Sequence, residues 1–151
     1  MPTNNVVVRS YAWGLDLSGS LDGAGGIGGL LMLNSASSGP HFYAYDGNGS
    51  VAALIDTANG AASANYEYDA FGRQIRSTGV VAKENPFRFS SKRANDATDL
   101  MLYEYRLYSP SVGRWTSPDP GEDLVGPNVQ EFVKNDPVNW YDYLGLKDRP
   151  N

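Results

Sequence analysis

The chain has 151 residues, 41% of them hydrophobic, which is enough for one modest domain or a piece of a larger one. Lysine and arginine number 12 against 17 acids, and the net charge of −5 argues against nucleic acid or an anionic membrane as the partner. With no cysteine and a single histidine, His41, there is no disulfide framework, no thiolate nucleophile, no cysteine or His-rich zinc site and little scope for a Ser-His-Asp arrangement.

The opening residues MPTNN lack the basic and apolar regions of a signal peptide, and no window approaches the ~18 consecutive apolar residues of a membrane helix. Export, if it occurs, depends on something else. Gly 17 and Pro 9 punctuate the chain every few residues, and no long segment keeps apolar residues at i, i+3, i+4 and i+7. A mainly β chain with little helix is expected. Residues 1–8 read as a tail. Residues 9–21, RSYAWGLDLSGSL, then place Tyr11 and Trp13 two apart and continue the alternation through Leu15 and Leu17.

Two later segments follow one plan, YAYDGNGSV at 43–51 and YEYDAFGRQI at 66–75, with Tyr45 and Tyr68 standing 23 positions apart. Such a period marks a repeat. In each unit two tyrosines at i and i+2 share a strand face, where they can stack on the same face of the next strand. An aspartate caps the turn, a glycine takes a positive φ and the chain returns as a second strand. Each unit is a hairpin too small to be stable alone, so neighbours must stack on it. The prediction is a curved antiparallel sheet of hairpins over 9–79.

Three motifs along this stretch are better read as structure. Gly23, Gly25 and Gly28 match G-x-G-x-x-G, but glycines precede them where a buried strand should stand and LLML is too short for the helix that should follow. A Gly-rich strand and turn is the expectation, with no cofactor. Asp46, Asn48 and Ser50 mimic the first ligands of a calcium loop, yet Val51 replaces its glycine and Thr57 its bidentate glutamate, so no metal is expected. His41 has no acid or serine motif around it and reads as an ordinary loop histidine.

From Leu102 the sequence LYEYRLY alternates with period two, which predicts a strand with Tyr103, Tyr105 and Leu107 on one face and Glu104 and Arg106 on the other. Pro110 and Gly113 turn the chain and Arg114 and Trp115 begin the return. Prolines 118 and 120 hold Asp119 at a strand end. Asp142 follows 23 residues later. A loop containing Gly121, Gly126 and Pro127, anchored by Phe132 and Val133, can bring the two carboxyls together, with at most short helical turns over 123–134. Two carboxyls in one site do not both ionise cheaply, so one keeps a proton and acts as acid while the other acts as base. Arg114 can hold one of them or polarise a carbonyl. The bland alternative is that both aspartates only cap turns, as Asp46 and Asp69 do.

The run NPFRFS at 85–90, LYEYR at 102–106, GRW at 113–115 with SPDP at 117–120, and DPVN at 136–139 with DYLGL at 142–146 resembles the RHS repeat-associated core domain, and the earlier hairpins resemble that family's tyrosine-aspartate (YD) repeats. The likeness spans roughly residues 9–146, with the core over 80–146. It implies a β-strand shell that the core closes around a C-terminal, toxin-like cargo, in a bacterial protein that is secreted or associated with the cell envelope. It also implies single-turnover aspartyl self-cleavage after Leu146 by Asp119 and Asp142, with Gly145 adjacent. Tyr143 departs from the family's proline, which frees the backbone near that bond. Only residues 147–151 follow it, so the expectation is a fragment or shortened member, whose partners are the remaining repeats or a second copy through exposed sheet edges. The competing expectation is a purely structural module, or one binding carbohydrate or protein through its 10 tyrosines and 3 tryptophans, without cleavage. A hydrolase acting on other substrates is disfavoured because no nucleophile and base stand together.

Overall fold

The alternation over 9–78 builds a six-stranded antiparallel meander: β1 (Arg9–Trp13), β2 (Leu30–Ser35), β3 (Gly39–Tyr45), β4 (Val51–Asp56), β5 (Ala62–Tyr68) and β6 (Gln74–Thr78), neighbours in sequence order. In the computed structural model, residues 6–120, 128–146 and 148–150 are described. The expectations for Gly121, Gly126 and Pro127, and for residues 123–127 of the helical turns over 123–134, fall outside them. Register shifts at Ala12/Trp13, Ala44/Tyr45, Leu54/Ile55 and Glu67/Tyr68 interrupt the ladders, and bulges of this kind bend and twist a sheet.

The repeat is visible in its hydrogen bonds. Asp46 Oδ1 accepts the amides of Asn48 (3.0 Å) and Ser50 (2.8 Å), and Asp69 Oδ1 accepts those of Phe71 (3.0 Å) and Arg73 (2.9 Å). Gly49 and Gly72, three positions after each aspartate, take φ of +72° and +81°, a region that only glycine enters without strain. The expected tyrosine-on-tyrosine ladder is replaced by another arrangement, because β4 lies between β3 and β5 and sets Leu54 beside Tyr43 and Val51 beside Tyr45. Each YD tyrosine instead reaches back by one hairpin: Tyr45 donates to the Leu30 carbonyl at 2.6 Å and Tyr68 to the Val51 carbonyl at 2.9 Å. Repeat stacks on repeat through a partly buried hydroxyl and a backbone carbonyl.

One face of the meander buries Leu30, Leu33, Tyr43, Val51, Leu54, Ala64 and Tyr66 beneath Val81, Ala82 and Phe87. His41 belongs to this face. It is a buried residue of β3, and not a loop histidine as the sequence suggested, with its ring nitrogens 3.1 Å from Ser38 Oγ and 3.0 Å from Ser63 Oγ. A second sheet follows in the order β10-β9-β8-β7, from β7 (Arg93–Asn95), β8 (Leu100–Leu102), β9 (Leu107–Ser109) and β10 (Arg114–Trp115). A two-stranded sheet of β11 (Trp140–Asp142) and β12 (Asp148–Pro150) ends the described chain. Phe89, Met101, Tyr103, Tyr108, Trp115, Phe132 and Val133 form a second, aromatic core, in which Tyr108 and Phe132 stack at 4.0 Å between centroids. The helical content is limited to two 3₁₀ turns among the described residues, Phe89–Ser91 and Val133–Asn135. No helix among them is long and apolar enough to cross a membrane.

Candidate functional site

The local alternation of LYEYRLY does not survive as one strand. Residues 103–106 form the turn between β8 and β9, closed by the Tyr103 amide donating to the Arg106 carbonyl at 3.1 Å. The turn breaks the period, so Tyr103 and Arg106 both go inside while Tyr105 is 61% exposed and Leu107 41%. Arg106 was expected beside Glu104 on the opposite face from Tyr103. Instead its guanidinium lies over the Trp115 ring, 4.1 Å from the centroid, in the aromatic core.

A buried guanidinium needs anions, and two arrive from distant sequence. Arg106 Nη2 is 2.8 Å from Asp119 Oδ2 and 3.3 Å from Asp142 Oδ2, while its Nε donates to the Gly145 carbonyl. Asp119 and Asp142 are therefore brought to one place. What lies between them is a guanidinium, where the sequence argument had them share a proton. Arg114, the arginine named from sequence, is exposed on β10, because Trp115 takes the core face of that two-residue strand and adjacent side chains point oppositely.

Asp142 is built into a turn of the repeat type. Tyr141-Asp142-Tyr143-Leu144-Gly145 repeats the Y-D-x-x-G spacing of residues 45–49 and 68–72. Its Oδ1 accepts the amides of Leu144 (3.1 Å), Gly145 (2.8 Å) and Leu146 (3.1 Å), and Gly145 takes φ +82°. The side chain is fully buried, unlike that of Asp119 at 13% exposure, so Asp119 is the member of the cluster facing solvent. The turn is held through its carbonyls too, with the Tyr105 amide donating to Leu144 O at 3.1 Å.

The hairpin β11–β12 sets Asp148 directly opposite Asp142. Burial, reinforced by the charge of Asp142, pushes the Asp148 carboxyl up to about 6; Lys134 and Arg106 pull against this, and Glu131 adds a little to it. Arg106 and Asp148 are the residues that sequence reasoning missed. A signal existed for Asp148 alone: the third Y-D-x-x-G at 141–145 calls for a return strand through 148, whereas nothing local marks Arg106 as the counter-charge.

Residues 26–145 match the family model described as Teneurin YD-shell. The tRNA3(Ser)-specific nuclease WapA of Bacillus spizizenii is 29% identical over 140 residues, covering 89% of this chain and 5% of that protein. Double-stranded DNA deaminase toxin A of Burkholderia cenocepacia is 36% identical over 109 residues, covering 70% of this chain and 7% of its own length. Among solved structures, TcdB2-TccC3 without its hypervariable C-terminal region superposes with a TM-score of 0.67 at 29% identity, over 76% of this chain and 6% of that one. This chain thus spans less than a tenth of the length of each of these relatives.

Proposed function

The chain belongs to the teneurin YD-shell family, and from that premise we propose that it is the closing core of an RHS-type shell that encloses a C-terminal, toxin-like cargo and cuts itself from that cargo once, after Leu146. The remaining repeats, or a second copy, pair with its open sheet edges, and the assembly acts in a secreted or envelope-associated bacterial protein. The observation that carries the reading is the cluster itself: one buried guanidinium holding Asp119, Asp142 and the Gly145 carbonyl, a single residue before the bond to be cut. At Asp69 the same cap meets only an exposed arginine, Arg73, and not a buried guanidinium shared with a second acid.

The roles follow from position. Asp142 pins the amide of Leu146, so the residue whose carbonyl is attacked cannot drift. Asp119, on the solvent side, takes a proton from an attacking water whose oxygen bonds to the Leu146 carbonyl carbon. That proton passes to the Lys147 nitrogen as the C–N bond breaks, and the proton left on the new Leu146 carboxyl then moves to the amine, giving a carboxylate and an ammonium. Arg106 holds both carboxylates beside the Gly145 carbonyl, one residue before the bond to be cut, and offsets their mutual repulsion. The sequence-named candidate Arg114 is assigned no step.

The test is to fuse a folded reporter after Asn151 and weigh the products. A new mass ending at Leu146 is expected, lost in Asp119→Asn and in Asp142→Asn and retained in Asp46→Asn and Arg114→Ala. A second reading, a structural shell segment without cleavage, is favoured by one feature: the amides of residues 144–146 cap Asp142 much as their counterparts cap Asp46 and Asp69. An intact fusion after prolonged incubation would select it.

A further inference from the structure

The glycine-rich segment 23–28 stands out in the sequence, and neither the shell reading nor the cleavage chemistry uses it. Asp16 imposes its shape. Oδ2 of Asp16 accepts the amides of Ala24 (2.6 Å) and Gly26 (3.2 Å), and Oδ1 accepts the amide and hydroxyl of Ser18. Ala24 and Ile27 are fully buried, so the loop is anchored from inside. At its tip Gly25 takes φ +59°, and a Cβ there would overlap the carbonyl of Tyr143. Glycine is required twice over at this position, once for the backbone and once for the approach to another turn.

Lys92 closes the same contact. It is 4% exposed, and its Nζ lies 2.9 Å from the Gly25 carbonyl and 2.9 Å from both oxygens of Glu104, above the Tyr103 ring at 5.1 Å from its centroid. A buried ammonium is costly to keep, and it stays where several acceptors converge on it. The consequence is a turn whose backbone is held at every step. Tyr143 O abuts Gly25, Leu144 O accepts from Tyr105, Gly145 O accepts from Arg106, and the amides of 144–146 all bond Asp142.

We propose that the 23–28 loop and Lys92 form a clamp that positions the 142–146 turn, with Gly25 and Lys92 as positioning residues for cleavage after Leu146. The clamp rests on the self-cleavage reading for its purpose and on the contacts alone for its existence, and two measurements separate the two. In the full chain carrying Asp119→Asn, where cleavage cannot deplete the sample, amide exchange at Leu144, Gly145 and Leu146 reads the clamp directly. Gly25→Ala and, separately, Lys92→Met are expected to speed exchange at these amides at least tenfold and leave Val51 and Leu54 of β4 unchanged. With Asp119 restored, both variants are expected to slow cleavage at least tenfold without moving the cut. Unchanged exchange at 144–146 in Lys92→Met, whose loop backbone is intact, overturns the proposal, and so does a rise that extends equally into β4. A parent chain that never cleaves refutes the self-cleavage reading, while the exchange result still decides the clamp.

Discussion

Arg106 is where the sequence pattern and the fold part company. Period two places it on a surface face beside Glu104, but a four-residue turn carries it into the aromatic core, 5% exposed at the side chain between two carboxylates. Removing one partner of such a cluster leaves buried like charges facing each other, a loss on the order of 3–5 kcal/mol. Arg106→Met, which keeps the packing on Trp115, is therefore expected to lower the urea midpoint sharply. Adding Asp119→Asn and Asp142→Asn to it should recover much of the loss, because no unpaired charge remains. If the single variant unfolds at the parent's midpoint, the ion cluster carries no stability. Gly72 offers a test of the repeat turn: its φ is +81° and a Cβ would run into the Phe89 ring. Gly72→Ala should cost more than the ~1 kcal/mol of the backbone preference alone, whereas Gly60→Ala, at similar φ in open space, should cost only that.

At the scale of elements, the β11–β12 hairpin couples charge to pairing. The Asp148 carboxyl is raised to about 6 from 3.8, so the folded hairpin binds its proton more tightly than the unfolded chain does. The stability it contributes is fully present below about 3.8 and is lost as pH rises through about 6. Asp16 runs the other way. Burial opposes its charge, but the hydrogen bonds from Ser18, Ala24 and Gly26 outweigh that and hold its carboxyl below the usual range, so the support it gives is present above that range and lost in stronger acid. Amide exchange in β12 should therefore quicken between pH 4 and 7 beyond its intrinsic trend, with the excess absent in Asp148→Asn. An identical profile in parent and variant would show that neither burial nor the charge of Asp142 raises the Asp148 carboxyl.

Across the whole molecule, protection should follow the two cores. β1 is an edge strand with Val6, Val7 and Val8 exposed beside it, and all five residues of β6 are exposed, so both ends of the meander present unpaired backbone. Tyr108 and Trp115 are instead enclosed by Tyr103 and Phe132. Native-state hydrogen exchange is expected to be fastest in β1 and slowest around Tyr108, by several orders of magnitude in protection. Equal protection from end to end would contradict a stack of hairpins that needs neighbours.

The sequence by itself determined the hairpins and their turns, because each Y-D-x-x-G carries its own capping oxygen and its own glycine within five residues, and such bonds form wherever the segment stands. It also marked Asp119 and Asp142 as the acids of interest. Which arginine they meet was decided only by the tertiary structure. A strand and a turn differ at residues 103–106 by where the aromatic core needs to bury Tyr103 and Tyr108, not by any local preference of YEYR. The same holds for the Gly25 contact with Tyr143 and for Asp148 opposite Asp142, since a glycine-rich loop and a terminal acid acquire meaning from what the fold sets against them.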